Sequence, residues 1–85
     1  MSFEERMRYA KIILQELRRG PLHWGEIERK VFSSRGTHWK FTALMRWLTE
    51  EGYILKDGPS GTRAPYRFNP GKVQFSDGEV VIRIE

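Results

Sequence analysis

The chain has 85 residues, with 15 Lys and Arg against 11 Asp and Glu and a net charge of +4. It has no cysteine, which excludes disulfide scaffolds, Cys-based zinc sites and thiol catalysis. The length predicts one domain that buries roughly 60% of its unfolded surface. No apolar run exceeds the three residues of Ile12-Ile13-Leu14 or Val80-Val81-Ile82, so no membrane span is expected.

Ser2-Phe3-Glu4-Glu5 matches a capping box, with a side-chain oxygen at the N-cap and a carboxylate three residues on. Phe3, Met7, Ala10, Leu14 and Leu17 then recur at helical steps, with Ile13 beside them. They predict a first helix over about residues 3–19 with that stripe buried. Gly20-Pro21 stops it, and Leu22-His23 is long enough only for a bridging strand. Trp24, Ile27 and Val31 predict a short second helix over about 24–32, with acids early and bases late as the helix dipole prefers. Trp24 reads as a core residue. Ser33 to Gly36 is a turn by composition.

Thr37 can cap a third helix over about 38–51, with Phe41, Leu44, Met45 and Leu48 as its buried stripe. Gly52 is the expected left-handed residue after it. Tyr53 to Lys56 and Tyr66 to Phe68 predict two short strands around a Gly/Pro-containing loop, Asp57 to Pro65, with a flexible tip. Tyr66 and Phe68 share one face and Arg67 takes the other. Asp77-Gly78 is a two-residue turn signal, so a C-terminal hairpin is expected over about 72–84. Fold class is therefore α+β.

Charge is segregated along the chain. From Arg29 to Thr49 there are five cations and no acid, and from Gly58 to Ser76 three cations and no acid. That is the electrostatic footprint a polyanion requires. On the third helix, the face opposite the apolar stripe carries Trp39, Ala43 and Arg46, flanked by Lys40, Thr42 and Trp47. Ala43 leaves room to approach a groove floor. Arg46 and Lys40 can reach phosphates or guanine edges, and Thr42 a base edge or thymine methyl. Ser34 and His38 lie near the helix start. Trp39 either marks a partner site or covers a core edge under the N-terminus or the C-terminal hairpin, and Trp47 reads as structural. His23 and His38 have no companions for a metal site, and nothing pairs Ser33 or Ser34 with a base, so no cofactor and no catalysis are expected.

The order helix, helix, turn, helix, strand, Gly/Pro loop, strand resembles a winged helix-turn-helix domain. Gly20 to Glu28 looks like the entry to its second helix. Thr37 to Ile54 looks like its recognition helix running into the first wing strand, and Asp57 to Phe68 like the wing. The resemblance spans about residues 3–69 and is nearest to small transcription regulators of the MarR and PadR type. It implies binding to double-stranded DNA, with the third helix in the major groove and the wing on the backbone. The residues so implicated are Ser34, Arg35, Thr37, His38, Trp39, Lys40, Thr42, Ala43, Arg46, Lys56, Arg63 and Arg67. The chain departs from the pattern by ending in a hairpin and not in a long dimerisation helix. A homodimer through the first helix or the C-terminal hairpin is expected, in the cytoplasm. Two other readings stay open: a winged-helix module that binds protein through Trp39 and Trp47, and one that binds RNA. With no acid between Gly58 and Ser76, the wing cations Lys56, Arg63 and Arg67 are expected to be free of local partners.

Overall fold

A computed structural model describes residues 2–32, 38–59 and 63–82. Three helices come first: α1 (Phe3–Arg18), α2 (Trp24–Val31) and α3 (His38–Glu50). Two antiparallel hairpins follow, β1 (Ile54–Lys56) with β2 (Tyr66–Phe68), and β3 (Val73–Ser76) with β4 (Glu79–Ile82). No described helix is long and apolar enough to cross a membrane. Ser33 to Thr37, Ile84, and Ser60 and Gly61 of the expected flexible tip Gly58 to Gly61 lie outside the described residues.

Local chemistry sets the helix ends. The Ser2 side chain accepts a hydrogen bond from the Glu5 N–H at 3.1 Å and caps α1. This satisfies one of the four amides a helix start leaves unpaired. At the end of α3, Tyr53 N–H donates to Leu48 O at 2.9 Å and Gly52 N–H to Thr49 O at 3.1 Å. This is the paired Schellman closure, and it needs a left-handed residue; Gly52 supplies φ +77°.

The helices meet on one apolar cluster. Ala10, Ile13, Leu14 and Leu17 of α1, Ile27 of α2, and Phe41, Leu44, Met45 and Leu48 of α3 are buried together with Ile54. Phe41 is its aromatic centre, with Trp24 edge-on at 5.0 Å and Phe32 at 5.7 Å between centroids. No polar or charged residue is buried among the described residues. Two expectations are corrected. Phe3 is 61% exposed, because the first turn of α1 meets α3 through polar contacts: Glu5 faces Lys40, and Arg6 lies over the Trp47 ring at 5.1 Å. Trp24 is only half-buried, since it packs on the cluster from its rim.

Leu22 forms the expected bridge, exchanging two backbone hydrogen bonds with Tyr66 at 3.0 and 2.7 Å. It gives β2 a second neighbour besides β1. The β1–β2 register pairs Ile54 with Phe68, Leu55 with Arg67 and Lys56 with Tyr66. In the second hairpin Asp77 (φ 51°) and Gly78 (φ 78°) form the turn. Both positive angles fit the two-residue turn that matches strand twist. Val73 and Val80 bury one face, while Val81 looks outward. The Gln15 amide nitrogen donates to Gly78 O at 2.7 Å, and Phe75 meets Phe68 edge-on at 5.0 Å.

Leu48 is fully buried and Val81 is exposed, so their truncations should separate clearly. Urea unfolding should show Leu48→Ala losing about 2–5 kcal/mol. Val81→Ala should stay within about 0.5 kcal/mol of the parent. Equal losses would mean that the cluster around α3 is not the core.

Candidate nucleic-acid interface

Burial of Phe41, Leu44, Met45 and Leu48 turns the opposite side of α3 outward. Trp39 is 60% exposed, and Ala43 and Arg46 are exposed with it, while Thr42 and Trp47 are half-buried at the flanks. Trp47 packs on Tyr53 at 5.6 Å between centroids. Arg46 makes no ion pair among the described residues. Lys40 does: its Nζ lies 3.4 Å from Glu5 Oε1 and 5.7 Å from the Trp39 ring centroid. The flank that carries Lys40 faces α1, so the side chain spans the two helices. Both partners are about one-third exposed, so the pair contributes at most about 1 kcal/mol. Ser34, Arg35 and Thr37 lie outside the described residues, and of His38 only its place as the first residue of α3 is described.

The cations of the first hairpin divide into three kinds. Arg63 is exposed and makes no ion pair among the described residues. Lys56 is half-buried, its Nζ 5.6 Å from the Tyr66 ring centroid. Arg67 is not free: its Nε donates to Asp57 Oδ1 at 2.7 Å. The acid-free stretch begins one residue after Asp57, and the register carries the correction. Asp57 N–H donates to Pro65 O at 2.9 Å, so Asp57 stands opposite Pro65. Arg67, two residues on, projects from the same face and is its diagonal neighbour.

Lys56 and Arg63 share a groove of about 770 Å³ between the start of α2 and the hairpin. Trp24, Arg29 and Tyr66 also line it. In the sequence Trp24 passes for core and Arg29 for a charge suited to a helix end. The signal for both was their position in the first two turns of a helix next to a bridging strand.

Glu26 organises the α2 end of this groove. Its Oε1 accepts from the His23 N–H at 3.2 Å and lies 2.9 Å from His23 Nδ1. The His23 side chain, and then its backbone N–H, hold the Glu26 carboxyl below the ordinary carboxylate range. Burial pushes the Tyr66 phenol up. Among the described residues no three His, Cys, Asp or Glu side chains gather as a metal site requires. No family model matches this chain, and neither the curated proteins nor the solved structures contain a match to it.

A carboxyl whose pKa is lower in the folded chain stabilises the fold above its unfolded pKa. That contribution fades as pH falls through the lowered value. Glu26→Ala should therefore lower the melting temperature at pH 7, and the gap to the parent should close in acid. Thermal scans from pH 7 to pH 3 check this; a gap constant with pH would remove the ionised carboxylate from the end of α2.

Proposed function

We propose that this chain is a winged-helix protein that binds double-stranded DNA, with α3 in the major groove and the β1–β2 hairpin as the wing along the backbone. The role that fits is a small transcription regulator, acting where the DNA is, in the cytoplasm. The order α1, α2, α3, then β1 paired antiparallel with β2, supports the fold, because helix, helix, helix and strand-loop-strand is the order on which the winged-helix resemblance rests. The observation that carries the DNA reading is the outward face of α3. There a small residue, Ala43, is next to Arg46, whose guanidinium has no acid partner among the described residues. A helix enters a major groove on such a face, and arginine reads guanine edges or holds phosphate. Arg63 adds a backbone contact, which gives affinity without sequence choice. A homodimer would use α1 or β4, where Ile12 and Val81 are exposed.

One observation favours a second reading. Trp39 is 60% exposed on the same face, and exposed tryptophan is enriched where proteins meet proteins. The two readings differ in salt dependence. Duplex binding weakens steeply with salt through counterion release, and an aromatic protein contact does not.

Arg46→Ala should weaken duplex binding with little change in melting temperature. A loss confined to one base position, worth about 1–3 kcal/mol, marks base readout. Arg63→Ala should reduce the salt slope by about one unit on any duplex. Asp57→Ala should change the slope in the opposite direction, because it releases Arg67. Retardation assays at several salt concentrations check all three. Superimposed lines for parent and variants would reject the assignment of both surfaces.

A further inference from the structure

The groove between α2 and the first hairpin has its own chemistry. Its volume, about 770 Å³, lies in the range of small-molecule sites, roughly 300–1,000 Å³. One wall is aromatic. Trp24 forms a T-shaped pair with Phe41 at 5.0 Å and lies 6.1 Å from Tyr66; it remains half-buried and lines the groove, so part of the indole faces it. The other feature is charge. Arg29, Lys56 and Arg63 all line the groove. Arg29 folds back over the first turn of α2: a β-carbon on Gly25 would lie 3.6 Å from its Nη1. The acid present, Glu26, is already held by His23 through the side chain and the backbone N–H.

We propose that this groove binds a single unpaired nucleotide, with the base stacked on Trp24 and the phosphate held by Arg29, Lys56 and Arg63. An uncharged aromatic would leave three cations unused, and inorganic phosphate would leave the indole unused. A nucleotide joins a planar ring to an anion, and protein sites for unpaired bases combine aromatic platforms with cations. A paired base inside a duplex has both faces covered by its neighbours. The ligand is therefore a free mononucleotide or the unpaired end of a strand. The inference rests on the groove alone and does not need α3 to read DNA.

The test uses the full chain, isotope-labelled, with amide shifts followed during titration with AMP, adenosine or inorganic phosphate. AMP should move the amides of Trp24, Gly25, Arg29, Lys56 and Ala64, with adenosine and phosphate each at least about tenfold weaker. Arg29→Gln and Lys56→Gln should each weaken AMP about tenfold while the remaining spectrum stays unchanged. Truncation of Trp24 is avoided because it also packs on Phe41. Silence of these amides at about 10 mM AMP, phosphate binding as tightly as AMP, or unaltered AMP binding in both variants overturns the proposal. A second arm compares a blunt duplex with one carrying a 5′-phosphorylated adenine overhang. Tighter binding of the overhang assigns the site to strand ends; equal binding, with AMP bound, assigns it to the free nucleotide. A parent chain that does not bind AMP but still retards duplex rejects this site alone, and a parent chain that binds AMP but does not retard duplex rejects the duplex reading alone.

Discussion

The exchange of two backbone hydrogen bonds between Leu22 and Tyr66, at 3.0 and 2.7 Å, is the constraint on which much of this molecule depends. Strands β1 and β2 have three residues each. A two-stranded hairpin of that length is marginal in water. The bridge gives β2 a partner on its other side, and that partner is the connection between α1 and α2. The same two bonds therefore fix where α2 begins and how close Trp24 comes to Tyr66. Without them the sheet, the start of α2 and the groove between them would lose their common anchor.

Features written in local chemistry were legible from the residues. The Ser2 cap, the left-handed Gly52, the Asp77-Gly78 turn and the buried stripe of α3 each need only a few neighbouring positions to be recognised. Features that depend on a partner element were not. Phe3 has the right spacing for burial, but spacing cannot say that α3 offers the first turn of α1 a lysine and a tryptophan flank in place of an apolar floor. Arg67 sits within a stretch free of acids, yet strand pairing brings Asp57 to it from ten residues away. The groove was hidden for the same reason. Trp24 and Arg29 come from one helix, Lys56 and Arg63 from a hairpin far along the chain, and no short-range pattern joins them.

The basic surface is more selective than the residue count suggests. Lys40 is drawn to Glu5, and Arg67 to Asp57. Lys72, the last cation of the acid-free stretch, donates to Glu51 O at 2.7 Å and lies over the Tyr53 ring at 5.8 Å. Lys40 ties α3 to α1, Arg67 pairs across the first hairpin, and Lys72 serves the end of α3. Among the described residues Arg29, Arg46 and Arg63 keep their guanidinium groups free of ion pairs, and they are spread over α2, α3 and the hairpin. An arginine so placed carries a fixed fork of donors that matches a phosphate or carboxylate with two hydrogen bonds.

The end of α3 is closed largely by groups from beyond it. Lys72 reaches Glu51 O, and Asn69 Nδ2 donates to Gly52 O at 2.9 Å. Asn69 also donates its own N–H to Tyr53 O at 2.9 Å, and its carbonyl accepts from the N–H groups of Lys72 and Val73 at 3.0 and 2.9 Å. Helix termini usually fray alone, one turn at a time. Here fraying would also break the link from β2 into β3. Hydrogen exchange at Gly52, Tyr53, Asn69 and Val73 would then follow one opening reaction, so the last turn of α3 and the join between the hairpins form a single cooperative unit.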